Sequence, residues 1–243
     1  MKNTTKLSLA LAAALLALPM AGFAQDAAQD AAEDESGFSW NLALTSDYVF
    51  RGVSQTEEDP AFQIGADYSF GAGFYVGAWA SNVDFGAGGP DAEVDTYIGW
   101  NTDLNEAWNL DLMLNRYNYF GQEDYFGDGE YTEFLATAVY DETYSFTFGY
   151  TNDIYDLDED AFYYAAAGEW DVGKGFTLGA GVGYSTFDES TGYEDYMDYS
   201  VSLGRDFGPV NASLSYVGTN NDGEYNFGEN ADDRVVLTFS IEG

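Results

Sequence analysis

The chain has 243 residues, 43 of them acidic and 7 basic, with no histidine and no cysteine. Such a charge excludes a nucleic-acid partner, because phosphate contacts need Lys and Arg. The missing His and Cys remove the commonest general base, the commonest metal ligands and any disulfide framework, so no enzyme, cofactor or metal centre is expected.

In chain order, Lys2 and Lys6 precede an apolar run from Leu7 to Leu18, then Pro19, Gly22 and Ala24. This is the pattern of a secretory signal peptide over residues 1–24, too short for a membrane helix, which needs about 20 apolar residues. Residues 25–37 are small and acidic without an aromatic, and read as a disordered leader. Residues 38–243 are expected to form one domain. It contains no long apolar stretch, so any membrane crossing must be by strands.

Trp40 to Arg51 sets the pattern: Trp40, Leu42, Leu44, Ser46, Tyr48 and Phe50 share one face, and Asn41, Ala43, Thr45, Asp47, Val49 and Arg51 the other. A greasy face backed by a small, polar and charged one at period 2 suits a strand between lipid and a wet interior. Similar segments follow at 61–70, 74–84, 93–101, 108–119, 131–140, 143–151, 161–170, 176–186, 196–204, 210–217 and 234–241. They make twelve, the even number of a bacterial barrel whose ends meet on one side of the membrane. Connections alternate in length. Glycine-rich or very short ones (71–73, 141–142, 171–175) alternate with longer acidic ones (51–60, 120–130, 218–233), as periplasmic turns alternate with outer loops. Trp40, Trp100, Trp108 and Trp170 fall at the short-turn ends with outward parity, while Tyr48, Phe50, Phe62, Tyr150, Phe162 and Tyr184 fall near the other ends. Two girdles of interface aromatics are expected there.

Thr45 to Thr56 (TSDYVFRGVSQT), Gly73 to Phe85 (GFYVGAWASNVDF) and Glu93 to Trp100 (EVDTYIGW) together resemble the TorF-family porins of proteobacterial outer membranes. The likeness is strongest over Phe38 to Trp100 and continues in style to the C-terminus. It implies an outer-membrane barrel acting as a channel, and carries no transported solute with it.

The fold class expected from the residues is an all-β, transmembrane antiparallel β-barrel of about twelve strands. Parity assigns to its lumen Asp47, Arg51, Gln63, Asp67, Glu93, Asp95, Asp111, Asn115, Glu133, Asp198, Asn211 and Arg234. That lining favours cations or neutral polar solutes over anions. Arg51 and Arg234 belong to strands that meet at the seam, where they either face Asp47 and other carboxylates across the lumen or merely neutralise acid. Tyr75, Trp79, Tyr97, Tyr117 and Tyr163 are candidates to narrow a bore already small at twelve strands. The expected partners are outer-membrane lipid, lipopolysaccharide (with divalent cations as a bridge to acidic loops), the barrel-assembly machinery and small solutes. The rival reading is a barrel closed by an inward loop, with 120–130 and 218–233 the longest candidates.

Overall fold

The computed structural model describes residues 37–123 and 127–243, so the signal peptide and nearly all of the acidic leader lie outside the described residues. Its strands are β1 (Gly37–Thr45), β2 (Val49–Phe50), β3 (Val53–Ser54), β4 (Ala61–Gly71), β5 (Phe74–Asn82), β6 (Ala92–Asn105) and β7 (Trp108–Phe120). They continue with β8 (Tyr131–Tyr140), β9 (Tyr144–Thr151), β10 (Ala161–Gly173), β11 (Phe176–Phe187), β12 (Tyr196–Phe207), β13 (Val210–Thr219) and β14 (Arg234–Glu242). One short helix, α1 (Asn221–Phe227), stands in the connection before β14. Twelve strands, all except β2 and β3, close into one antiparallel barrel in which each strand pairs with its neighbours in the chain and β1 pairs with both β4 and β14.

The barrel is inverted relative to a water-soluble fold. Leu44, Phe62, Ile64, Ile98, Leu114, Val182, Leu214 and Val235 stand exposed on the outside, while Asn41, Gln63, Asp67, Asp95, Asn115, Ser200 and Ser202 are buried inside. Alternation along each strand produces this: β4 reads buried and outward in turn from Ala61 to Phe70. At the short-turn end the outer face carries paired rings, Phe74 against Trp100, Trp108 against Tyr140, and Tyr144 against Trp170. Trp40 packs there against Gly243, and the two residues exchange backbone hydrogen bonds of 2.8 and 3.0 Å.

Inside, bulk is distributed unevenly. β5–β8 supply most of the rings, whereas β9–β14, apart from Tyr163 and Tyr196, present mostly small side chains such as Thr147, Ser200, Ser202, Ser213 and Ser215. The rings are seated by glycine. Tyr75 lies opposite Gly99 and Tyr97 opposite Gly77, in adjacent rows of the β5–β6 pairing. Each tyrosine crosses the neighbouring glycine and reaches an aspartate one strand further. Tyr75 donates to Asp111 on β7 at 2.8 and 3.0 Å, and Tyr97 donates to Asp67 on β4. A methyl group at Gly77 would stand 2.3 Å from the Tyr97 ring, and one at Gly99 would stand 2.1 Å from that of Tyr75.

Alanine at either glycine is therefore expected to overpack this wall and cost about 1–3 kcal/mol. The check is the urea midpoint of the folded, heat-modifiable band on gels, which should fall for Gly77→Ala and Gly99→Ala. Gly192→Ala, a loop position where a methyl would meet nothing within 4 Å, serves as a backbone-strain control.

Candidate functional site

The chain leaves the barrel wall after Thr45 and does not return until Ala61. Between them β2 and β3 pair as a minimal hairpin, Phe50 opposite Val53 and Val49 opposite Ser54. Its two-residue turn is Arg51-Gly52, with φ of 48° and 80°. Positive φ at both central positions matches the right-handed twist of a tight hairpin. Glycine takes this conformation freely, and Arg51 is held in it by what its side chain meets.

Asp47 ties the base of the hairpin. One carboxylate oxygen accepts from the Ser54 hydroxyl at 2.6 Å and the Thr56 hydroxyl at 2.9 Å, and the other accepts from Arg234 at 3.0 Å. Arg234 also donates to the backbone carbonyls of Glu229 and Asp232, so the first long connection is joined to the last.

The hairpin tip crosses the lumen. Arg51 donates to both carboxylate oxygens of Glu133 on β8 at 2.8 Å, in an ion pair with both side chains nearly fully buried. β8 lies five strands from β1 one way around the barrel and seven the other, close to diametrically opposite. On the way the guanidinium sits over the Tyr163 ring of β10, 4.0 Å from its centroid, and over Phe50 at 4.7 Å. Tyr117 donates to the same Glu133, and Tyr196 of β12 donates to the Arg51 carbonyl. Tyr48 meets Trp79 edge-on, and Phe50 meets Tyr117. A methyl group at Gly52 would lie 2.6 Å from Thr219 and 2.8 Å from the Gly218 carbonyl, so the turn is wedged against β13 as well. Over the hairpin, Phe187, Tyr196 and Phe227 pack on Val53 and Ala231.

A family model described as "Bacterial protein of unknown function (Gcw_chp)" matches residues 29–241. The chain belongs to the Gcw_chp family. No curated protein is significantly similar to it. Among solved structures it resembles a KdgM porin at a TM-score of 0.51 and 6% identity, covering 86% of this chain and 98% of that one. A NanC porin also matches at 0.51 and 9% identity, covering 85% and 98%. A KdgM porin in complex with disordered oligogalacturonate matches at 0.51 and 8% identity, covering 86% and 98%. At these identities the likeness concerns the barrel fold.

Within this Gcw_chp barrel the charged and polar residues assigned to the lumen by parity fall as follows. Asp47, Arg51, Gln63, Asp67, Glu93, Asp95, Asn115, Glu133 and Asp198 are buried inside, and Asp111 and Arg234 are half-buried. The structure brings together Arg51 with Glu133 and Arg234 with Asp47, whereas Gln63 joins neither pair. Asn211, at the short-turn end, donates to Asp206. Tyr75, Trp79, Tyr97, Tyr117 and Tyr163 are all buried in the interior.

Two aromatic assignments are corrected. Tyr48 and Phe50 are not on the lipid-facing surface, because β1 ends at Thr45 and parity no longer applies beyond it; Tyr48 is buried in the interior cluster and Phe50 packs against it. The remaining interface aromatics Trp40, Trp100, Trp108, Tyr150 and Trp170 are half-buried or exposed. The segment that crosses the lumen lies in 46–60, a loop not among those expected; 218–233 packs over it through Phe227 and Ala231, and 120–130 lies partly outside the described residues. The hairpin's signal in the sequence was Arg51-Gly52 between Val49-Phe50 and Val53-Ser54, a two-residue hairpin turn at the end of what reads as one long strand.

Removing one partner of the Arg51–Glu133 pair leaves a buried charge uncompensated, at a cost of about 3–5 kcal/mol. Arg51→Ala and Glu133→Gln should each destabilise the folded barrel, and the double variant should lose much less than the sum of the two. Denaturant unfolding of the three proteins in detergent, read as a double-mutant cycle, checks this.

Proposed function

We propose that the chain is an outer-membrane porin-type channel for ions and small polar solutes, cations ahead of anions, with the 46–60 hairpin setting how much passes. In this reading residues 1–24 direct export as a cleaved signal peptide, residues 25–37 remain as a leader, and the assembly machinery of the outer membrane inserts the barrel. The TorF-like segments support the same assignment. Lipid meets the apolar outer face, and lipopolysaccharide meets the acidic outer loops.

The observation that carries the selectivity is the charge of the interior. Asp67, Glu93, Asp95 and Asp198 are buried there, while the two arginines that reach inward pair with other carboxylates, Arg51 with Glu133 and Arg234 with Asp47 and Glu58. A low-dielectric wall around uncompensated carboxylates raises the local concentration of cations and repels anions. A KdgM porin is described in complex with oligogalacturonate, which is a polyanion. An acidic lumen is unsuited to such a ligand, so a different solute class is proposed here.

A second reading is favoured by the hairpin itself, which lies across the lumen from β1 to β8. In that reading the barrel is shut and serves the membrane surface through its acidic loops. Single-channel recording in planar bilayers under a salt gradient separates the two. The channel reading expects discrete steps with a cation-favouring reversal potential and a larger conductance for Arg51→Ala/Glu133→Ala, in which the hairpin tip is released. Silence from both proteins, each verified as folded by heat modifiability, would favour the closed barrel.

A further inference from the structure

The interior holds two carboxylates that the protein leaves without a cation of its own. Glu93 and Asp95 are successive inward residues of β6, 2% and 0% exposed. Both oxygens of Asp95, one oxygen of Glu93 and both amide atoms of Asn115 on β7 make no well-aligned hydrogen bond, although Asn115 and Glu93 lie beside Asp95 and Tyr48 lies beside Glu93. Asn115 is itself 0% exposed. The cationic side chains among the described residues are engaged or distant. Arg51 is on Glu133, Arg234 on Asp47 and Arg116 on Glu130. Arg205 lies between Phe176 and Phe207, and Lys174 occupies the tight turn between β10 and β11. Two adjacent carboxylates in a water-poor wall repel each other strongly unless a cation or a shared proton lies between them.

The surroundings select the kind of cation. No group of three or more His, Cys, Asp or Glu side chains among the described residues is placed to hold a metal ion, and a calcium-type ion asks for about six to eight oxygens. Aromatic faces are abundant instead. Asp95 lies between Trp79 and Tyr117 in the sheet, and Glu93 has Tyr119 beside it. Arg51 provides an internal template, a guanidinium resting on a carboxylate of this same wall between two aromatic rings. Glu93 and Asp95 repeat that carboxylate-and-ring composition with no guanidinium from the chain.

We propose that Glu93 and Asp95, with Asn115, form a lumenal binding site for an organic cation, a solute carrying a guanidinium or alkylammonium group. The carboxylates take its charge, Trp79 and Tyr117 offer the faces that attract such cations, and the Asn115 amide pairs with a further polar group of the solute. Tyr48 of the inward hairpin stands beside Glu93, so entry from the outer mouth requires that the hairpin move. The proposal rests on the channel reading for its purpose, though binding itself requires no conduction.

The test is calorimetric titration of L-arginine, and of its neutral isostere L-citrulline, into the folded full-length barrel in detergent. Arginine should bind and citrulline should bind at least about tenfold more weakly, in line with the loss of one buried charge pair. Asp95→Asn should weaken arginine at least about tenfold and Glu93→Gln/Asp95→Asn should abolish binding, while Asp222→Asn in the last outer connection should leave it unchanged. Equal binding of arginine and citrulline, no arginine binding, or undiminished binding by the folded double variant would overturn the proposal. The arginine–citrulline comparison in the unaltered protein needs no variant to fold. A barrel that binds arginine but passes no current would sink the channel reading alone; one that conducts cations but ignores arginine would sink this site alone.

Discussion

The interior of this barrel is organised by one buried ion pair, Arg51 with Glu133. A short segment entering a lumen loses conformational freedom and needs a fixed anchor at its far end. The guanidinium provides one, reaching a wall nearly opposite the strand from which the segment departs. One terminal nitrogen donates to both carboxylate oxygens while the guanidinium plane lies on the Tyr163 ring, and it is that stacking a lysine would not reproduce. Such a pair adds little net stability compared with packed apolar groups, because removing two charges from water costs about as much as their attraction returns. What it does specify is position. With the tip on Glu133, Phe50 meets Tyr117, Tyr48 meets Trp79 and Gly52 sits against Thr219.

The wall that receives the tip is shaped by a second constraint, the space tyrosine needs. A twelve-stranded bore leaves limited room for rings. Most of the rings here come from β5–β8, joined by Tyr163 of β10 and Tyr196 of β12, and the other inward positions of β9–β14 are mostly serine, threonine and glycine. The Tyr75–Gly99 and Tyr97–Gly77 pairs make the two central strands of that wall mutually dependent, since each supplies the gap the other's ring occupies. The hydroxyls then end on Asp111 and Asp67, so rings and buried acids are placed together. By contrast Glu93 and Asp95 lie against each other beside Tyr48 of the hairpin, with no arginine on them and no well-aligned hydrogen bond to the Asp95 oxygens. The acidic lumen is thus of two kinds, carboxylates consumed in holding the structure and carboxylates left over.

Much of this was legible in the sequence because a barrel strand between lipid and lumen has the simplest code in protein structure, one bit per residue. Parity distinguished Asp67 from Tyr68 and Asp95 from Ile98, the period-2 segments counted to twelve, and the alternation of short and long connections agreed with that count. The code failed at Ser46. Period-2 alternation continued through Asp47, Val49 and Arg51, so the segment looked like more wall, whereas the chain had already turned inward. Buried positions inside the lumen need the same residue types as lumen-facing wall positions, so pattern alone cannot tell a wall from a plug. Only the Arg51-Gly52 turn carried the distinction. The partner of Arg51, 82 residues away on β8, depends on barrel closure and register, which no local pattern encodes.

The seam draws these features together. β1 pairs with β14 from Asn41 with Glu242 to Thr45 with Thr238, extended by backbone hydrogen bonds of Trp40 with Gly243 and of Ser46 with Leu237, and the hairpin segment follows directly on β1. Asp47, the knot of the hairpin, is bound by Arg234, the first residue of β14. The residues that fasten the seam and those that seat the hairpin are therefore one set, so the circle cannot be loosened without loosening what fills it.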